Sequence, residues 1–134
     1  PVLSTLRETE EMTKDCDRMV LALALSYSGR DELTRAVNAL LREKEEGKFK
    51  DDFISVTQFA RYLDTSGMPD PDLLVRTSGE SRISNFLLWQ VAYSELYFTE
   101  TLWPDFHKEE FYKAITEYQQ RERRFGRTSE QVRS

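Results

Sequence analysis

Asp72-Leu73-Leu74-Val75-Arg76-Thr77-Ser78-Gly79-Glu80-Ser81-Arg82-Ile83-Ser84-Asn85-Phe86-Leu87-Leu88-Trp89-Gln90 reads as a short buried strand, a turn of small residues and the start of a helix. Arg76, Arg82 and Ser84 sit in that turn. In an open α/β sheet, ligands bind outside the carboxyl ends of the strands. A helix start offers unpaired N–H groups and the positive end of a dipole. Two planar, permanently charged guanidinium groups suit phosphate oxygens. The stretch is therefore a candidate phosphate or diphosphate site.

Outward from it, the alternation of strands and helices continues. Leu96-Tyr97-Phe98 reads as a second strand. Upstream, Met19-Val20-Leu21-Ala22-Leu23-Ala24-Leu25 is a continuous apolar run. Its length fits a strand buried on both faces, as in a parallel sheet. Leu33, Ala36, Val37, Leu40 and Leu41 fall at helical spacing, with Gly47 as a stop. Ser55-Val56-Thr57-Gln58 fits a capping box, and Val56, Phe59, Ala60 and Leu63 follow as an apolar helix face. Ser84 is the expected N-cap of a helix from Asn85 to about Glu95, and Asp105 that of a last helix from about His107 to Phe125. Phe111, Ile115 and Tyr118 would face inward on that last helix, and Val2 to Asp15 suits an amphipathic helix. The pattern predicts an α/β fold: a mostly parallel sheet with helices on both faces.

Composition narrows the function. With 134 residues the chain is one domain's worth. A formal net charge of −5 argues against a general nucleic-acid binder, although Arg121, Arg123, Arg124, Arg127 and Arg133 make the tail locally basic. Cys16 is the one cysteine, so no internal disulfide forms, which is compatible with a reducing cytoplasm. His107 is the one histidine, so neither a His-based triad nor a multi-histidine metal site is expected within this chain. No apolar run approaches the ~20 residues that span a bilayer.

The opening stretch, continued by Val91-Ala92-Tyr93-Ser94-Glu95-Leu96-Tyr97-Phe98 and Leu102-Trp103-Pro104-Asp105-Phe106, resembles the C-terminal signature of the cis-prenyltransferases, above all the bacterial undecaprenyl diphosphate synthases. Leu25-Ser26-Tyr27-Ser28-Gly29-Arg30-Asp31-Glu32 and Arg121-Glu122-Arg123-Arg124-Phe125-Gly126 extend the resemblance over nearly the whole chain. The family's Asp-Gly-Asn-Gly-Arg-Trp type motif is absent and Pro1 opens the sequence. We therefore expect residues 1–134 to be the C-terminal part of a single cis-prenyltransferase domain, incomplete at its N-terminal side and inactive alone.

The resemblance implies condensation of isopentenyl diphosphate with an allylic diphosphate such as farnesyl diphosphate. The product would be undecaprenyl diphosphate, the lipid carrier for cell-wall synthesis. By matching position, Arg76, Arg82, Ser84 and Gly126 bind substrate, Glu80 and Asn85 orient the site, Trp89 lines the cleft and Glu95 is a ligand to Mg2+. The resemblance further implies a cytoplasmic homodimer, peripheral at the inner face of the membrane when product is released, with no nucleic-acid partner. The alternative is a non-catalytic partner subunit of a heteromeric enzyme.

Read as residues alone, each position keeps a plainer role. Arg76 can pair with Glu80 or Asp72, Ser84 can be only a cap, Trp89 a core aromatic, and Gly126 a helix stop. Asn85 can fix its turn by local hydrogen bonds. Ser28, Ser78 and Ser81 depart from the family pattern, which has glycine, glycine and histidine at these places.

Overall fold

The computed structural model describes residues 2–121. The helices are α1 (Val2–Thr13), α2 (Gly29–Glu45), α3 (Val56–Ala60) and α4 (Lys108–Gln120). The strands β1 (Leu73–Arg76) and β2 (Glu95–Phe98) run parallel. Short 3-10 turns cover Gln90–Tyr93 and Trp103–Asp105. The fold is α/β with a parallel sheet, as the alternation predicts.

Local signals decide most of these elements. Ser28 is extended and its hydroxyl accepts from the Asp31 N–H, so it caps α2. Gly47, at φ 69°, ends the same helix. There the Gly47 N–H reaches the Lys44 carbonyl and the Lys48 N–H the Glu43 carbonyl, a Schellman closure. The capping box at Ser55 and Gln58 forms with both of its bonds. Asp105 does not cap α4: it lies in the preceding 3-10 turn, two residues before the His107 N-cap position.

β1 pairs with β2 in register from Leu73 opposite Glu95 to Arg76 opposite Phe98. Past both strands the parallel register breaks, but the contact goes on: the Ser78 and Gly79 N–H groups donate to the Thr101 and Thr99 carbonyls, each at 2.9 Å. α4 packs against β2, with Ala114 buried and Ile115 and Tyr118 half-buried, while Phe111 faces out. Ala36, Leu63 and Leu74 are the other buried apolar residues among those described.

Besides the Asp105 cap and the inward Phe111, two larger expectations fail. Met19–Leu25 forms no strand, because it finds no partner among the described residues; β1 and β2 pair only with each other. Extended backbone becomes a strand only when a neighbour takes its N–H and C=O groups. The run is left exposed, as is α1, which buries no residue. Between them Cys16 is free and exposed.

The helix expected from Asn85 to Glu95 is also missing. Ser84, Asn85 and Leu87 have φ of 47°, 65° and 46°, which a right-handed helix excludes. Ser84 is therefore not an N-cap, and only Gln90–Tyr93 makes a helical turn.

Candidate functional site

The site stands at the carboxyl end of β1. Arg76 closes the strand half-buried, and its Nε is buried with no hydrogen-bond partner. A buried donor left without an acceptor costs about 1–3 kcal/mol, so this nitrogen carries an unmet demand for an acceptor. Arg82 lies in the following turn, mostly exposed, and pairs with Glu80 at 2.5 Å. Ser84 is exposed close by in the chain.

The turn presents side chains rather than a helix start of its own, since no helix begins at Asn85. The Ser78 and Gly79 amides are already bonded to the 99–101 segment. Glycine suits φ 69° at Gly79, and a Cβ there would meet the Glu100 carboxylate, the movable end of a side chain. Ser78 adopts φ 69° without being glycine, which carries a steric cost of roughly 1–2 kcal/mol.

Behind the turn, Asn85 reaches across to α2. Its side-chain Oδ1 accepts from the Arg30 N–H at 3.0 Å, its Nδ2 donates to the Ser28 hydroxyl at 2.8 Å, and its carbonyl accepts from the Gly29 N–H at 2.8 Å. These bonds of Asn85 are long-range where local ones were expected.

A polar cluster that the sequence gives no sign of completes the support. Glu32 is 1% exposed and Gln90 2% exposed. The Glu32 carboxylate accepts from the Tyr27 hydroxyl, the Asp64 N–H and the Gln90 Nε2. The Gln90 Nε2 also donates to the Thr65 hydroxyl at 2.9 Å. Burial, then the bond to Glu32, pushes the Tyr27 hydroxyl above the usual tyrosine range. Glu32 and Gln90 are 58 positions apart, so no local pattern could have joined them. A cavity of about 460 Å³ lies alongside, lined by Leu23, Leu25, Tyr27, Met68, Phe86 and Leu87 among others.

Residues 1–126 match the family described as "Putative undecaprenyl diphosphate synthase". This chain belongs to the undecaprenyl diphosphate synthase family of cis-prenyltransferases. Among relatives of this family, the isoprenyl transferase of Chlorobaculum tepidum is 53% identical over 133 residues, 99% of this chain and 50% of the relative. The tritrans,polycis-undecaprenyl-diphosphate synthase (geranylgeranyl-diphosphate specific) of Thermoplasma volcanium is 50% identical, covering 92% of this chain and 48% of the relative. The crystal structure of lavandulyl diphosphate synthase from Lavandula x intermedia in complex with dimethylallyl diphosphate superposes with a TM-score of 0.87 at 35% identity, over 92% of this chain and 53% of that one. The chain thus spans about half the length of the curated relatives it matches.

Within this cis-prenyltransferase chain, the remaining expected site residues are not all brought together. Glu95 stands at the amino end of β2 opposite Leu73, three residues and about 10 Å along the ladder from Arg76. One of its oxygens, Oε2, accepts from Arg121 at 3.1 Å, and the same guanidinium bonds the Leu96 carbonyl at 2.7 Å. Glu117 first and Glu95 second hold the Arg121 guanidinium above its ordinary value. Glu95 offers the hard carboxylate oxygen that magnesium takes. Among the described residues no group of three or more His, Cys, Asp or Glu side chains that could hold a metal ion forms. Trp89 is half-buried and packs on Phe59, ring centroids 4.9 Å apart, as a core aromatic does. Gly126 and the arginines beyond Arg121 lie outside the described residues.

Proposed function

We propose that this chain is the C-terminal part of an undecaprenyl diphosphate synthase and supplies its isopentenyl diphosphate clamp. The observation that carries the reading is the Arg76 Nε, buried and without an acceptor at the carboxyl end of β1. In this reading Arg76 takes one phosphate oxygen from within. Glu80 keeps the Arg82 guanidinium at the mouth of the turn, and the Ser84 hydroxyl adds a neutral donor. A substrate held this way keeps its own diphosphate, because its C–O bond is not allylic and breaking it would give no allyl-stabilised cation.

In the reaction, the allylic carbon–oxygen bond breaks and diphosphate leaves. The isopentenyl double bond attacks the freed carbon, and a proton is lost to give the new cis double bond. Magnesium would neutralise charge on the leaving group, and Glu95 would contribute one carboxylate to it. The apolar cavity beside Phe86 and Leu87 suits hydrocarbon. Gly126 is proposed to approach the diphosphate through its backbone N–H. The proposed working form is a homodimer in the cytoplasm that meets the membrane when product is released. No described helix is long and apolar enough to cross a membrane.

The test is prenyl transfer by the complete gene product with farnesyl diphosphate, labelled isopentenyl diphosphate and magnesium. We expect long cis product from the wild type. In Arg76→Ala and Arg82→Ala we expect isopentenyl diphosphate binding weakened by about 1.5–3 kcal/mol each, the range for hydrogen bonds to charged groups. A folded gene product that forms no product would overturn this reading in favour of a non-catalytic partner subunit.

A further inference from the structure

The first amides of a helix need acceptors from outside it. In α2 the third is taken by the Ser28 hydroxyl, as in many helices. The first and second, on Gly29 and Arg30, are taken by the carbonyl and side chain of Asn85, more than fifty positions later in the chain. Asn85 simultaneously donates to Ser28. The approach is close enough that a Cβ on Gly29 would lie 2.8 Å from the Asn85 carbonyl oxygen and 2.9 Å from Leu88 Cγ.

The segment from Glu80 to Ser84 therefore hangs between two anchors. At one end the Ser78 and Gly79 amides hold it to the 99–101 segment; at the other Asn85 holds it to α2. Arg82 and Ser84, both exposed, have no other long-range tie among the hydrogen bonds and ion pairs of the described residues. The turn beyond Asn85 is fixed to α2 again through Gln90 and Glu32. The left-handed φ of Ser84, Asn85 and Leu87 is a conformation that would relax if released.

We infer that Asn85 is a positioning residue: through the opening amides of α2 and the Ser28 hydroxyl it fixes the turn bearing Arg82 and Ser84, and so sets the affinity for the diphosphate that turn receives. The inference rests on the clamp reading above. Asparagine suits the task because it tolerates a left-handed backbone and presents a donor and an acceptor together. Aspartate keeps the acceptor and loses the donor; alanine loses both.

The experiment measures kcat, both substrate KM values and calorimetric binding of isopentenyl diphosphate for the complete gene product and four variants: Asn85→Ala, Asn85→Asp, Ser28→Ala and Arg82→Ala. In Asn85→Ala we expect the isopentenyl diphosphate KM to rise about ten- to a hundredfold, the scale of a misplaced binding group, with kcat and the farnesyl diphosphate KM little changed. Asn85→Asp and Ser28→Ala should show smaller rises of the same selective kind. A loss shared equally by both substrates, or one that follows the folded fraction, would mark Asn85 as merely structural and overturn the inference. So would an unchanged KM in Asn85→Ala while Arg82→Ala raises it. If Asn85→Ala does not fold, Ser28→Ala decides: a selective rise upholds the pin and no rise removes it. Should Arg82→Ala itself leave the isopentenyl diphosphate KM unmoved, the clamp reading has failed and the pin falls with it.

Discussion

Met19–Leu25 and β1 begin as the same kind of sequence: an apolar run followed by a turn rich in small residues. In β1, Leu74 is 9% exposed; in the upstream run, Val20 is 82% and Leu21 76% exposed. The difference is pairing. β1 has β2 beside it and the run has no strand beside it among the described residues. The turns diverge as well. Ser28 opens a true helix, whereas Ser84 and Asn85 open none, and Asn85 instead serves the helix that Ser28 begins. Apolar content sets what a run can become, and its neighbours decide whether it does.

The contrast can be broken most directly in the strands. Leu74→Ala should destabilise the chain by about 2–5 kcal/mol, read from its urea midpoint, because it opens a cavity in a buried site. Leu21→Ala should change stability by less than about 0.5 kcal/mol. Equal losses would show that the run is packed after all. The turns offer the next test. Gly29→Ala should cost roughly 1–3 kcal/mol by overpacking against Asn85 and Leu88, while Gly47→Ala, where a Cβ meets nothing, should show only the cost of its φ.

The smallest expected effect is in pH. The Tyr27 hydroxyl is raised from its ordinary value of 10 by burial and by Glu32. Its contribution to stability is fully present below that value and is lost as pH rises beyond it toward and through the folded value. Asp64 behaves oppositely: Arg35 lowers it from 3.8, so its contribution is present above that value and lost as pH falls through the lower folded one. The Arg35 pair is exposed, so the acid effect should be slight. Thermal midpoints against pH, with Tyr27→Phe flattening only the alkaline limb, check both.

These elements also show what the sequence makes legible. α2, its glycine stop, the Ser55 capping box, β1 and β2 are written in residues within a few positions of each other. The arginines of the turn and their acidic neighbour stand out by type and spacing, but Glu80 pairs with Arg82, not with Arg76 as the plainer reading allows. The helix at Asn85 misreads because Ser84 ahead of an apolar stretch looks like an N-cap, while the bonds that hold Asn85 otherwise come from α2. Glu32, Gln90 and Tyr27 stay hidden for the same reason: a buried carboxylate with three donors has no signature until the chain has folded.

Cys16 gives the unpaired run a use at the bench. It is the sole thiol, it is exposed, and it lies three residues ahead of Met19, within about 11 Å of chain. A maleimide dye would therefore mark each molecule once, at the doorstep of the apolar run. Its emission colour and anisotropy would report, in real time, whether that run is wet or covered.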